Sequence, residues 1–468
     1  MVAEVLLEPL LWFLVILEVN KMTNDLIALL EPFVQKGLKM GADEVELFAQ
    51  KIDSKETNFE ANNLKSATAN TIEGVGIRVL KGHSLGFASV NSFNKRKITQ
   101  GLKEAYAIAK VAPPEKHYSL PPKQKVKSIP ELYDETAEQL SVDDTISLGQ
   151  QLLEGVKEYD SRISVDSGSF EVTIRQKAIV NSNDIAVTEK KSMFSFGIFG
   201  MAIDGDDVGS FTYEYDSVVK KKDVNIEQVA SEFAAKALNN LGAQKTEAFV
   251  GPAILTPDAA ADLLYMIIYS TKASTIQQGS SYLSDKLGDK IAVDEFTIVD
   301  DGTMKNNTGS SSFDREGVPH KELVVIDEGT FTGIFYDTFT ANKEKLKSTG
   351  HASGDFRSIP NIETTNLNVQ PGKRSIDDLI TEIDHGIVVQ RISASPDPIS
   401  GDFSGAIKGG KLIKKGEKTT TLKEVTAVGN VFELLQSITG ISKEQKPLRG
   451  TTNWFIPFLV VDDIKFVT

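Results

Sequence analysis

Leu255-Thr256-Pro257-Asp258-Ala259-Ala260-Ala261-Asp262-Leu263-Leu264-Tyr265-Met266-Ile267-Ile268-Tyr269-Ser270 is the stretch that orients the rest of the chain. It opens with the signals of a helix start. Thr256 is an N-cap type, and Pro257 sits at the first helical position, where its missing N–H would have had no intrahelical partner. Asp258 adds negative charge in the first turn, where the helix dipole favours it. Leu263, Leu264, Ile267 and Ile268 then recur at helical spacing, which predicts a buried structural helix. A short strand over residues 248–255 precedes it.

Downstream, strand signals dominate. Residues 322–327, a Glu328-Gly329 turn and residues 331–339 predict one hairpin; residues 405–408 and 411–414 around Gly409-Gly410 predict another. Helices over residues 375–383 and 430–441 interrupt them. Strands cluster instead of alternating with helices, so the fold class is α+β. The chain is multi-domain, and its C-terminal unit, residues 243–468, is strand-rich around the apolar helix.

Upstream lie two smaller α+β units. Residues 22–113 begin with a helix carrying Leu26, Leu29, Leu30, Phe33 and Val34 on one face. Strands near Val45–Ala49, Gly74–Leu80 and Ser84–Val90 follow, and a second helix carries Ile98, Leu102, Ala105, Ile108 and Ala109. Residues 111–130 are rich in proline and lysine and read as a linker. The second unit, residues 131–242, opens on a helix with Ser141 as N-cap and Asp144 three residues on, a capping box. Strands over 170–180 and 194–203 and a helix with Ile226, Val229, Phe233, Ala237 and Leu241 complete it. Leu80–Gly86 resembles Ile203–Gly209, each a strand end, a turn and a glycine. Two unrelated β-turns explain so short a likeness more simply than a duplicated hairpin. Residues 1–21 hold an apolar run, Leu10–Leu17, shorter than the ~20 residues that a membrane span needs. Met22 before Thr23-Asn24-Asp25 marks residues 1–21 as an extension or a misassigned start.

Composition removes several chemistries. Among 468 residues, 40% are apolar and 25% charged, as in a globular protein. The formal net charge of −14, from 51 basic and 65 acidic residues, repels phosphate backbones and argues against nucleic acid. There is no cysteine, so disulfides, thiol catalysis and thiolate metal ligands are excluded, and the composition fits a reducing cytoplasm. The five histidines, His83, His117, His320, His351 and His385, are too far apart in sequence for a local metal-binding pair.

Several local motifs approach catalytic signatures without meeting them. Gly405 and Gly410-Lys411 have the spacing of a phosphate-binding loop, but Leu412 stands where Ser or Thr must hold Mg²⁺. Asp166-Ser167-Gly168 matches an aspartic-protease tripeptide without a second copy, so a turn is expected. Ser92…Lys95 and Ser217…Lys220 match Ser-x-x-Lys, a pattern that chance supplies readily. His351 lies among small residues, Ser348-Thr349-Gly350-His351-Ala352-Ser353-Gly354, whose backbone could approach a ligand closely; a glycine-rich turn without ligand is the simpler reading.

The third unit resembles the TldD/PmbA family, once described as modulators of DNA gyrase. The resemblance is carried by Leu255–Leu264, Phe313-Asp314-Arg315-Glu316-Gly317-Val318-Pro319, Lys347–Gly354, Asp402-Phe403-Ser404-Gly405 and Ala427-Val428-Gly429-Asn430, in the family's order. It implies a zinc peptidase of two related chains. The catalytic TldD-type chain has His-Glu-x-x-x-His on the helix after the alanine-rich stretch, and a later cysteine. Here those positions read Tyr265-Met266-Ile267-Ile268-Tyr269-Ser270. Tyr265 and Ser270 are poor zinc ligands, Met266 cannot act as a base, and no cysteine exists. The departure places the chain with the PmbA (TldE) type.

The resemblance then implies a subunit with no metal or cofactor of its own, which pairs as a heterodimer with a TldD-type subunit that carries the zinc. Unfolded peptides would be its substrate, neither nucleic acid nor membrane its partner, and a homodimer an option without the paralogue. Whether the chain is itself an enzyme stays open at this point. Gly350, His351, Ser353, Gly354, Asp402, Phe403 and Ser404 are the candidates for lining a peptide groove. The alternative is a stand-alone regulator or adaptor acting by protein binding without proteolysis; a metal-free Ser/Lys hydrolase is a third.

Overall fold

The computed structural model describes residues 25–450 and 452–468. Its first half is built on one seven-stranded sheet. The strands that matter most are β1 (Glu44–Glu60), β2 (Asn63–Lys81), β3 (Ser84–Val90), β4 (Ile163–Asn181) and β5 (Ala186–Asp204). β1 pairs antiparallel with β2 on one side and with β4 on the other, from Glu46↔Asn181 to Glu60↔Ser167. Sequence periodicity predicts two separate units here; the sheet runs through both, because pairing between β1 and β4 spans the linker.

The two units on this sheet repeat one order of helix, two long strands, one short strand in the first copy and two in the second, and helix. The helix over residues 25–39, β1, β2, β3 and the Lys95–Ala109 helix form the first copy. The Val142–Tyr159 helix, β4, β5, the Asp207–Val208 and Thr212–Val218 strands and the Ile226–Leu238 helix form the second. The order β3-β2-β1-β4-β5 is symmetric about the β1–β4 pair. The likeness of Leu80–Gly86 to Ile203–Gly209 is therefore part of a doubled architecture, not the coincidence expected from sequence. Leu80 faces Leu85 and Ile203 faces Val208, and the turn glycines Gly82 and Gly205 have φ +55° and +60°. Asp166-Ser167-Gly168 is likewise not a free turn: it lies within β4, at a register shift against β5.

Helices cover one face of this sheet. Leu30, Phe33, Val34, Ile98 and Leu102 pack on Val45, Leu47, Ile77 and Val79 in the first copy, and Leu152, Val156 and Phe233 on Phe170, Phe194 and Phe196 in the second. The Ser141–Asp144 capping box forms as expected. The linker is not loose. Tyr118 stacks on Phe339 at 4.5 Å, Asn342 donates to the His117 carbonyl, and the Ile129 N–H donates to Ser312 Oγ. It straps the third unit to the sheet.

The third unit centres on a 13-stranded sheet. Its Phe249–Leu255 strand lies between Asn453–Val467, antiparallel, and His385–Val389, parallel. The Pro257–Ser270 helix follows with Thr256 accepting from the Ala259 N–H, and it buries Leu263, Leu264, Ile267 and Ile268. Tyr265, 49% exposed, marks the outward face.

Three elements differ from expectation. The strand expected over residues 331–339 stops at Thr330–Phe331, because Asp337 caps a Thr338–Glu344 helix by accepting from the Thr340 N–H. The hairpin around Gly409-Gly410 does not form. Asp402–Lys408 pairs with Arg391–Ser393 and Thr426–Asn430, whereas Gly410–Lys414 pairs with His385–Val389 and Glu417–Leu422. Gly409, at φ +68°, turns the chain from one neighbourhood into the other. The helix expected over 430–441 is short, Val431–Gln436, and Ile438–Arg449 continues as a strand along Asn453–Val467.

Because Ile267 is fully buried, Ile267→Ala should cost about 2–5 kcal/mol in denaturant unfolding. Tyr265→Ala, on the outward face, should cost under about 1 kcal/mol. Equal losses would contradict the assigned orientation of this helix.

Candidate functional site

The second face of the sheet is also covered, by the third unit. This explains why Glu46, at a polar position of an alternating strand, is completely buried. Glu46 lies opposite Arg78 in the β1–β2 register. Arg78 donates to both carboxylate oxygens of Glu46, from Nε at 2.9 Å and Nη2 at 2.7 Å, a bidentate pair. Its Nη1 reaches across to Glu316 at 2.8 Å, and Arg315 Nη1 returns to Glu46 at 3.0 Å. All four side chains are nine-tenths or more buried. Burial opposes ionisation of Glu46, but Arg78 and Arg315 outweigh it and hold the carboxyl below its ordinary range. Burial pulls Arg315 down to about 10 in spite of Glu46. The Phe313–Pro319 stretch is folded for this task. Asp314 accepts from the N–H groups of Glu316, Val318 and Ala352, and Gly317 turns the chain at φ +81°.

Beside this clamp lies a cavity of about 400 Å³ between sheet and third unit. Gln50, Arg175, Lys177, Glu189 and Lys191 line it from the sheet. Ser311, Asp314, His320, Ser353 and Gly354 line it from the third unit. Lys177 Nζ donates to Ser311 Oγ at 2.6 Å and to the Phe313 carbonyl at 2.7 Å. Lys191 Nζ donates to the carbonyls of Thr308, at 2.9 Å, and Ser310. Glu189 accepts from Ser311 Oγ and the Ser312 N–H, each at 2.6 Å. Burial lowers Lys177 despite Glu189, and pushes Lys191 down to about 8.

Ser311 and Lys177 stand at the spacing of a serine–lysine dyad, but the hydroxyl is buried and its proton is taken up by Glu189 or the Phe313 carbonyl. The pair braces the loop. Neither Ser-x-x-Lys match forms a dyad: Ser92 Oγ accepts from the Asn94 N–H, Ser217 bonds Ser195, and Lys220 pairs with Glu131.

The groove candidates separate. Ser353 and Gly354 line the cavity. His351 lies behind the wall, with Nε2 2.8 Å from Asp300 Oδ2 and Nδ1 2.9 Å from Thr349 Oγ1, its ring edge-on to His320 at 6.1 Å. Gly350, at φ +81°, makes the turn that places it. Burial lowers the His320 pKa well below its ordinary value, so that imidazole is neutral. Asp402, Phe403 and Ser404 lie outside the cavity. Asp402 is exposed and accepts from Asn430 Nδ2 at 2.9 Å, Phe403 is core, and Ser404 is exposed. Of the three positions that the resemblance sets in place of a zinc motif, Tyr265 is exposed, Met266 packs against the core, and Ser270 is buried with no partner for its hydroxyl among the described residues. No cluster of three or more His, Cys, Asp or Glu able to hold a metal ion occurs among the described residues. No described helix is long and apolar enough to cross a membrane.

Sequence patterning missed the clamp and the basic wall. Glu46, Arg78, Arg175 and Lys177 occupy the polar positions of alternating strands, which pattern alone assigns to solvent. The available signal was the single Arg of β2, Arg78, set within the apolar run Val75–Leu80 of a strand next to the one that carries Glu46.

A chain with this doubled first sheet and a strand-rich third unit has the architecture of a metallopeptidase family. Models of the PmbA/TldA metallopeptidase match residues 45–109 (domain 1), 135–241 (central domain) and 250–468 (C-terminal domain). The chain belongs to this PmbA/TldD family. It is 28% identical to an uncharacterised protein of Methanocaldococcus jannaschii, over 87% of this chain and 93% of that one. It is 25% identical to a metalloprotease TldD homolog of Buchnera aphidicola, over 93% and 92%. The crystal structure of TldE from Thermococcus kodakarensis superposes with a TM-score of 0.87 at 25% identity, over 94% of this chain and all of that one.

Glu46→Gln should remove about 3–5 kcal/mol, because it strands Arg78 and Arg315 in the interior. The sign with pH follows from the lowered Glu46 pKa. Its contribution is present above the ordinary glutamate value of 4.5 and is lost as pH falls through the depressed folded value. Thermal melts over the acid range should therefore be steeper with pH for the native chain than for Glu46→Gln. Parallel curves would contradict the clamp.

Proposed function

We propose that this chain is the PmbA/TldE-type subunit of a cytoplasmic two-chain metalloprotease. It pairs with a TldD-type subunit that holds the zinc, and helps enclose the space in which unfolded peptides are cut. One observation carries this reading: the Pro257–Ser270 helix presents Tyr265, Met266 and Ser270 where zinc ligands and a general base are needed, in a chain with no cysteine. The likeness to TldE supports it. The peptide-handling part has further support in the sheet. β3 pairs with β2 only from Val75 onward, so residues 63–73 of β2 have β1 as their sole strand neighbour among the described residues. An open edge of this length can hold an extended chain through backbone hydrogen bonds, without sequence preference.

Co-expression with a paralogue that carries His-Glu-x-x-x-His tests the reading. The two chains should co-purify and cleave an unfolded peptide, a chelator should abolish cleavage, and this chain alone should be inactive and free of stoichiometric zinc. Cleavage by the isolated chain with tightly held zinc would contradict it.

A further inference from the structure

The cavity beside the clamp carries more positive charge than its surroundings answer. Arg175 and Lys191 are direct partners in the β4–β5 register, and Lys177 lies two residues from Arg175 on the same face. Like charges set directly opposite on an antiparallel pair repel. Among the residues that line the cavity from the sheet only Glu189 opposes them, and Glu171, on the same strand as Arg175, acts on it from beyond the lining. On the far wall Glu363 is taken by Lys272, and Asp314 spends its oxygens on three backbone N–H groups.

The basic groups differ in what they do. Lys177 and Lys191 are occupied as donors to the 308–313 loop. Arg175 has no hydrogen bond or ion pair to any described residue; its side chain is exposed at the cavity, and desolvation by the surrounding protein lowers its pKa in spite of the Glu171 charge. Two further wall residues carry buried donors or acceptors with no partner among the described residues, Arg315 at Nε and Nη2 and His320 at Nδ1. In a chain of net charge −14, a local surplus of cations in one cavity, with a guanidinium that has no partner among the described residues, favours the entry of an anion.

The geometry points to this cavity as a carboxylate-binding site, anchored by the Arg175 guanidinium, whose ligand is a peptide's C-terminal carboxylate or an acidic side chain. A planar guanidinium fork with free donors matches a planar carboxylate, and a space of about 400 Å³ admits one or two residues of a peptide but not a folded partner. Ser353 and Gly354, on the same wall, offer a small side chain and a bare backbone next to the ligand. The peptide identity of the ligand rests on the proposed function; the anion selectivity rests on the cavity alone.

Calorimetric titration of the full chain tests it with three peptides and inorganic phosphate: N-acetyl-trialanine with a free carboxylate, its C-terminal amide, and N-acetyl-Ala-Glu-Ala amide, whose only carboxylate is a side chain. At least one acid should bind tenfold or more tighter than the neutral amide, and the tighter acid identifies the source of the carboxylate. Equal binding of the three peptides, or tighter binding of phosphate than of either acid, would overturn the assignment. Arg175→Met should lose at least tenfold in acid binding while its melting temperature rises, since a repelled cation is removed; unchanged binding would overturn the anchor role. Lys191→Gln, which reduces the same surplus from the neighbouring strand, should weaken acid binding less than Arg175→Met. A chain that shows no acid selectivity yet still pairs and supports cleavage refutes this inference alone. Acid selectivity without pairing refutes the proposed function alone.

Discussion

The buried charges of Glu46, Arg78, Arg315 and Glu316 set the constraint on which the structure depends. Each is removed from water, and the pairing is completed only across the two parts of the chain: Glu46 and Arg78 pair within the sheet, and Arg78 to Glu316 and Arg315 to Glu46 join it to the third unit. Such a cluster adds modest net stability, because desolvation offsets most of the attraction. Its consequence is positional. Any shift of the sheet against the third unit would leave ions unpaired in the interior, so one arrangement is selected among the many that apolar contact would tolerate.

That arrangement creates the cavity. The same face of the sheet that presents Glu46 presents Gln50, Arg175, Lys177, Glu189 and Lys191 in register, because residues two apart on a strand share a face. Lys177, Lys191 and Glu189 engage the 308–313 loop, next in sequence to the arginine of the clamp. Clamp and cavity wall are thus consecutive parts of one loop folded on one sheet. The doubled architecture puts β1 and β4 at the centre of that sheet, where both long strands are flanked on either side and held rigid.

Much of this was legible in the residues. The Pro257–Ser270 helix, its cap and its buried face follow from Thr256, Pro257 and the leucine and isoleucine spacing. The α+β class came from the clustering of strands. The pairing of strands distant in sequence was not legible, since periodicity shows that a strand exists and not what it lies beside. This is why the Gly409-Gly410 hairpin failed and the β1–β4 sheet was missed. The charged face of the sheet was hidden for the same reason: polar alternation in Glu46–Gln50 or Arg175–Lys177 looks like a solvated face until another domain covers it.

A double-mutant cycle on Arg78 and Glu316 measures the clamp across the two parts of the chain most directly. Unfolding of Arg78→Met, Glu316→Gln and the combined variant in denaturant yields the coupling between them. A coupling energy of about 1–3 kcal/mol, with the double variant losing less than the sum of the singles, is the predicted result. Additivity within about 0.5 kcal/mol would show that the two charges do not act together, and that the sheet is held against the third unit by something else.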